Sequence, residues 1–177
     1  MSQRPQQRAR MRKAAKMAMQ ALKPPARLTV SEWADRARRL SSASSSEAGR
    51  WHTSRAEYQR AMMDACGDTG IAEVVIMSGA QLGKTEAILN VVGFHVEHSP
   101  TSILCVQPTL DKAQAFSKDR LSGGLFESTP ALDGKIKAAK SRDANNTTMH
   151  KRFPGGSISV CGANSPAGLA SRSVRIV

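Results

Sequence analysis

The clearest pattern in this chain is a short apolar run, then a turn of small residues, then a run of helix-forming residues. Val74–Met77 is apolar and rich in β-branched side chains, as a buried parallel strand requires. Two glycines lie within residues 78–83, and good helix formers extend from Lys84 to His98, where a Ser-Pro pair ends the run. The pattern therefore predicts a strand, a loop and a helix in succession.

The alternation of strand and helix continues towards the C-terminus. Ser102–Gln107 has the composition of a second buried strand, and Thr109 can cap a helix over Leu110–Leu121. Strands joined through helices are typical of right-handed crossovers between parallel strands. We therefore expect an α/β fold with a parallel sheet.

The last third of the chain predicts further strands. After an irregular stretch expected over residues 123–134, Thr147–Phe153 and Ser157–Cys161 read as two strands joined by a Pro-Gly-Gly hairpin turn. Ser165 can cap a short helix with a proline at its first position. Ser173–Val177 begins another apolar strand.

Two helices are predicted before residue 70. Ser31 can cap a helix over Glu32–Leu40, in which Trp33 lies on the apolar face and is expected to pack. Thr53 or Ser54 can cap a second helix that runs to about Cys66. A Gly-rich turn then leads into the strand at Val74.

Positive charge is concentrated near the N-terminus. The net charge is +12 with a pI of about 10.4, and residues 1–40 contain eleven of the lysines and arginines. This surplus predicts a polyanionic partner such as nucleic acid, with a membrane surface as the competing explanation. Residues 11–22 could form a basic helical arm that orders on nucleic acid, or remain a solvated tail. The Ser-rich linker at 41–46 separates this appendage, residues 1–46, from a main domain, residues 47–177.

Cysteine usage and hydropathy narrow the class of protein. The three cysteines are far apart and odd in number, so they suggest neither a metal site nor a disulfide framework, and a reducing cytosol fits them. No apolar run approaches the ~20 residues of a membrane span, so no membrane partner is expected.

The loop between the first strand and helix has the chemistry of a phosphate-binding loop. A phosphate needs several converging backbone N–H groups, which a small-residue turn before a helix N-terminus supplies. Lys84 would reach the β- and γ-phosphates of a nucleotide, and the Thr85 hydroxyl would ligate Mg²⁺. The usual first glycine of the motif is replaced by Ser78, and the alternative is a surface turn with a solvated lysine. The predicted phosphate-binding residues are Ser78, Gly79, Ala80, Gln81, Leu82, Gly83, Lys84 and Thr85.

Tyr58 and Gln59 stand about twenty-five residues before Lys84. Many P-loop translocases keep an adenine-reading glutamine at this position, and a glutamine amide can donate to and accept from the adenine edge at once. The alternative is an exposed glutamine on an amphipathic helix.

The acidic residues that complete a P-loop ATPase are not found. Such an enzyme needs an acid at the end of a neighbouring strand to hold Mg²⁺, and usually a second acid to orient water. No predicted apolar strand ends in Asp or Glu, and the sequence stops inside Ser173–Val177, where the pair is expected. We therefore expect an ATPase domain that is incomplete at its C-terminus.

Several unusual strings, in this order, resemble the lambda-type (GpA-like) large terminase subunit of tailed bacteriophages in its N-terminal ATPase part. The resemblance covers residues ~25–177. The matching segments are Pro25–Ala34, Tyr58–Arg60, Met63–Ala65, Glu73–Val75, Ala80–Glu86, Val106–Asp111, His150–Gly156 and Gly162–Arg172.

The resemblance implies an ATP-driven motor that packages double-stranded viral DNA into a procapsid in the host bacterial cytoplasm. It implies the additional-strand type of P-loop fold, the cofactors ATP and Mg²⁺, an oligomeric assembly, and a small terminase subunit and portal as partners. Lys84 and Thr85 match the family's P-loop lysine and hydroxyl residue, and Tyr58-Gln59 looks like its adenine-side motif. The family's nuclease domain matches no residue of this chain.

A phosphate-contacting arginine is a further requirement of this chemistry. The candidates in the sequence are Arg152, Arg172 and Arg175. Two other functions stay open, which are a catalytically inactive prophage remnant and a basic fragment that binds nucleic acid without hydrolysing ATP.

Overall fold

The computed structural model describes residues 10–12, 27–43, 45, 47–136, 146–170 and 173–177. Most of the predicted basic arm, the linker residues Ser44 and Ser46, and the candidate Arg172 lie outside this part of the chain. The described helices are α1 (Val30–Ala37), a 3₁₀ helix (Thr53–Gln59), α2 (Arg60–Gly67), α3 (Lys84–Glu97), α4 (Leu110–Ala115), a π-helix (Phe116–Phe126), a second 3₁₀ helix (Pro130–Leu132) and α5 (Pro166–Leu169). The described strands are β1 (Arg39–Leu40), β2 (Gly49–Arg50), β3 (Ser102–Gln107), β4 (His150–Phe153) and β5 (Gly156–Gly162).

The main sheet has three strands in the order β3-β5-β4. β3 and β5 are parallel, with Ile103 opposite Ile158, whereas β4 and β5 form an antiparallel hairpin in which Phe153 pairs with Gly156. The predicted hairpin and the strand at Ser102–Gln107 are confirmed. The predicted parallel pairing is found between β3 and β5, but the sheet is mixed, because a tight turn reverses the chain between β4 and β5 and only a long crossover can keep two strands parallel.

The second edge of β3 is bonded to the end of the chain. The Leu104 amide donates to the Ile176 carbonyl at 2.8 Å, and the Arg175 amide donates to the Ser102 carbonyl at 3.0 Å. The predicted strand Ser173–Val177 is therefore present only as a single parallel bridge between Ile103 and Ile176.

The strand predicted at Val74–Met77 is wrong, since this segment has no regular secondary structure and pairs with no described strand. Val75 is 75% exposed and Met77 is 93% exposed. Val74 and Ile76 point the other way, into an apolar cavity of about 360 Å³ that Ile176 also lines. A strand exists only through ladder bonds to a neighbour, and the facing edge of β3 is already bonded to residues 175–176.

Helix α1 begins two residues earlier than its predicted cap implies. Thr29, not Ser31, is the N-cap, because its hydroxyl accepts from the Glu32 amide while the Glu32 carboxylate accepts from the Thr29 amide. Ser31 instead donates its amide and hydroxyl to Asp64 on α2, at 2.8 and 2.9 Å. The helix ends at Ala37 rather than Leu40, which belongs to β1.

Helices α1, α2 and α3 pack on one another and form one side of the core. Trp33 is fully buried, as predicted, and its indole N–H donates to Glu97 of α3 at 2.9 Å. The helix predicted from Thr53 to Cys66 is divided, because Ala56 leaves helical geometry (φ −142°, ψ 61°) before α2 begins.

The helix capped by Thr109 is confirmed at its start but is longer than predicted. It continues as the π-helix through Gly123 and Gly124, where irregular chain was expected. Leu121, Leu125 and Phe126 are buried, and this packing outweighs the poor helix propensity of the two glycines.

No helix within the described ranges is long and apolar enough to cross a membrane.

Candidate functional site

Residues 78–83 form an exposed loop that leads directly into α3, as the sequence predicts. Gly83 is the N-cap of α3 and adopts left-handed backbone angles (φ 75°, ψ 17°). A Cβ at this position would lie 2.5 Å from Nε2 of Gln59. Both the backbone angles and the lack of space therefore require glycine here.

The loop backbone is held by the first residue of the helix. The Lys84 ammonium donates to the carbonyl oxygens of Ser78, at 3.2 Å, and Gly79, at 2.5 Å. Thr85 follows in the first turn of α3, with its side chain half-buried at the edge of a cavity over the loop. A lysine, a hydroxyl and the free amides of a helix N-terminus thus lie side by side, which is a favourable environment for a phosphate group.

Tyr58 and Gln59 lie against this loop. The Tyr58 hydroxyl and the Gln59 amide both donate to the Leu82 carbonyl, at 3.0 and 2.9 Å. Gln59 is only 2% exposed, so the alternative of an exposed glutamine is wrong, whereas Tyr58 is largely exposed. Oε1 of Gln59 is buried without a hydrogen-bond partner among the described residues. Both residues border an open cleft of about 830 Å³ that continues along the loop.

A cluster of charges next to the loop was not predicted from the sequence. Glu86, in the first turn of α3, forms ion pairs with Arg38 at 3.0 Å and with Arg120 at 3.6 Å. Arg38 is fully buried, and this burial lowers the pKa of its guanidinium although Glu86 opposes the shift. Arg120 comes from the π-helix and lines the cavity over the loop. No sequence spacing links these three residues, which are brought together only by the packing of α3 on the π-helix and the α1–β1 segment.

The arginines predicted from the sequence lie elsewhere. Arg152 is exposed on β4. Arg175 lies near the C-terminus, and its backbone amide donates to the Ser102 carbonyl of β3. Neither lines the cavity of about 470 Å³ over the loop, whose lining residues are Ala80–Glu86 and Arg120.

The residues present fit the triphosphate of a nucleotide. Any side chain at Gly83 would collide with Gln59, so glycine keeps the backbone of the loop open. The buried Oε1 of Gln59 has no partner among the described residues and can accept a hydrogen bond. The cations Lys84 and Arg120 line the cavity over the loop. For Mg²⁺, the donor beside the loop is the Thr85 hydroxyl, and the nearby carboxylate of Glu86 is engaged by arginine.

The fold and the site define an α/β protein with a mixed sheet, in which a cationic loop precedes a buried helix. Comparison with known sequences gives the family. The family model described as "Phage terminase large subunit gpA, ATPase domain" matches residues 45–177. The chain therefore belongs to this family.

Two curated relatives carry the name "Terminase, large subunit". The protein of Escherichia phage lambda is 30% identical over 147 residues, which is 83% of this chain and 22% of the relative. The protein of Enterobacteria phage P21 is 30% identical over 132 residues, which is 75% of this chain and 20% of the relative. The chain thus spans about a fifth of the length of each of these relatives. No solved structure gives a significant match.

Proposed function

We propose that this chain is the ATP-binding part of a DNA-packaging motor, and that residues 78–85 bind the phosphates of ATP. The observation that carries the proposal is the junction of loop and helix, where Gly83 caps α3 and the Lys84 ammonium lies against the loop carbonyls. Membership of a family of terminase ATPase domains supports nucleotide use.

Each residue of the site has a role in this proposal. Lys84 neutralises negative charge on the γ-phosphoryl group, and the loop amides bind the phosphate next to it. The Thr85 hydroxyl would hold Mg²⁺, which when bound offsets the charge shared between the β- and γ-phosphates. Tyr58 and Gln59 fix the loop through Leu82, and Oε1 of Gln59, which has no partner among the described residues, is the acceptor that an adenine amino group would need.

The relatives' names support a wider proposal. As part of a terminase large subunit, the chain would act on double-stranded DNA together with a small terminase subunit and a portal, as an oligomer in the bacterial cytoplasm. We further propose the additional-strand type of P-loop fold, with residues 47–177 as the ATPase portion and residues 1–46 as a basic segment before it, whose helix α1 packs into the same core. The family resemblance and the net charge of +12 support these partners.

The proposal is tested by replacing Lys84. We expect Lys84→Ala to weaken MgATP binding by at least about tenfold, because a charge-assisted contact to phosphate is lost. Isothermal titration calorimetry on the purified chain measures the dissociation constant. The matched control is Lys118→Ala, which removes one positive charge from the exposed side of the π-helix. If Lys84→Ala and the unaltered chain bound MgATP with equal affinity, the assignment of Lys84 as a phosphate-binding residue would be wrong.

A further inference from the structure

The cavity over the loop has a wall that does not come from the loop or its helix. This part of the lining is Arg120, which belongs to the π-helix Phe116–Phe126 and lies beside Ala80–Glu86. Among the residues lining this cavity, the charged ones are Lys84, Glu86 and Arg120. The charge of the cavity therefore depends on how Glu86 is neutralised.

Glu86 is already neutralised by Arg38. The Arg38 guanidinium donates to Oε2 of Glu86 at 3.0 Å and to the hydroxyls of Ser128 and Thr129 at 3.2 Å. Arg38 is fully buried, so this pair is fixed. Two arginines thus share one carboxylate, so the cavity that Lys84 and Arg120 line has a surplus of positive charge.

Arg120 is held weakly by Glu86. Its nearest guanidinium nitrogen lies 3.6 Å from Oε1, an oxygen that has no hydrogen-bond partner among the described residues. The Arg120 side chain is 43% exposed, and exposed ion pairs at this separation stabilise little. The neighbouring Ser117 and Leu121 are fully buried, so the backbone of Arg120 is anchored while its guanidinium can change partner.

We propose that Arg120 contacts the terminal phosphate of the bound nucleotide, exchanging Glu86 for two phosphate oxygens. This inference rests on the proposed function. The loop amides and Lys84 would surround the phosphates at the start of α3. Arg120 lines the same cavity but comes from a different element, the π-helix, so it would add a second cation for the terminal phosphate, which carries the larger charge. A guanidinium binds phosphate oxygens in a bidentate manner, which an ammonium cannot reproduce.

The experiment compares ATP and ADP on the purified chain in the presence of Mg²⁺. We expect Arg120→Gln to weaken ATP binding by roughly tenfold and ADP binding by less than about twofold, because only ATP carries the contacted phosphate. Arg120→Lys should retain part of the ATP affinity. Lys118→Gln, which removes the same charge two residues away on the same helix, should bind both nucleotides like the unaltered chain.

The ratio of the two affinities separates phosphate contact from a structural role. An equal loss for ATP and ADP, or no loss for either, would overturn the inference. If Lys84→Ala abolishes binding while Arg120→Gln binds both nucleotides normally, the role of Arg120 fails and the proposed function stands. An unaltered chain that binds neither nucleotide contradicts the proposed function itself, and the inference falls with it. Thermal unfolding of each variant verifies that its fold is retained.

Discussion

Arg38 connects three parts of the molecule through one guanidinium. It follows α1, bonds to Glu86 on α3, and reaches Ser128 and Thr129 beyond the π-helix. Its side chain is fully buried among these partners. The sequence places it among the basic residues of the N-terminal part, where a solvated or DNA-facing charge is the ordinary expectation. Burial of such a charge depends on a carboxylate 48 positions away, which no local pattern reveals.

Loss of the Arg38 guanidinium is expected to destabilise the fold. We predict that Arg38→Met lowers the free energy of unfolding by about 3 kcal/mol, because removing one partner of a buried ion pair leaves the other uncompensated. Arg120 can partly neutralise Glu86, so the effect lies at the lower end of the usual range. Urea denaturation followed by circular dichroism measures it.

Arg36→Met is the matched control for this prediction. Arg36 is two residues away and pairs with Glu97 at 3.4 Å, but its side chain is 52% exposed. An exposed pair contributes about 1 kcal/mol or less. If both variants lost the same stability, burial of the Arg38–Glu86 pair would not be what stabilises the fold.

At the scale of elements, the close approach of α1 and α3 depends on Gly93. A Cβ at this position would overlap Cη2 of Trp33 and lie 2.9 Å from its Cζ3. Trp33 cannot yield easily, because it is fully buried and bonded to Glu97. Sequence periodicity predicts both helices and the burial of Trp33, but not which residue of α3 receives its ring.

Gly93→Ala therefore sets helix propensity against packing. Alanine is favoured over glycine in a helix by about 1 kcal/mol, whereas overpacking a core costs roughly 1–3 kcal/mol. We expect a net loss, seen as a lower melting temperature. Gly123→Ala is the control, since its added Cβ would meet nothing closer than 3.7 Å and should leave stability unchanged or raised. A Gly93→Ala variant as stable as the Gly123→Ala variant would contradict this packing argument.

The segment Val74–Met77 shows the limit of prediction for an element. Its alternation of half-buried and exposed residues is that of an extended chain, and its composition is that of a strand. Whether it becomes a strand depends on a free edge with matching register. The edge of β3 is bonded to Arg175 and Ile176. The composition of Val74–Met77 cannot predict that this edge is occupied.

At the scale of the whole molecule, the excess of positive charge is the dominant property. A net charge of +12 on 177 residues favours binding to nucleic acid through phosphate contacts, without sequence preference. Arg152 on β4 is exposed and contributes to this charged surface, whereas the fully buried Arg38 shows that not every arginine does.

We predict that affinity for random-sequence duplex DNA falls steeply with salt. A protein that contacts roughly six phosphates loses about a thousandfold in affinity between about 50 and 200 mM salt. Fluorescence anisotropy at several salt concentrations measures the slope. A chain that lacks residues 1–22 should show a shallower slope, because six lysines and arginines are removed. An unchanged slope in that deletion would assign DNA binding to the main domain instead of the arm.

The sequence by itself determined the helix α3 with its glycine loop, the strand Ser102–Gln107, the β4–β5 hairpin and the family resemblance. These depend on local backbone preferences and on strings of neighbouring residues, which a sequence displays directly. Tertiary structure alone decided that Gln59 bonds to the loop, that Glu86 lies between Arg38 and Arg120, and that Val74–Met77 stays unpaired. Each of these depends on contacts between residues distant in the chain, since burial and hydrogen-bond partners are set by how the elements pack and not by their own composition.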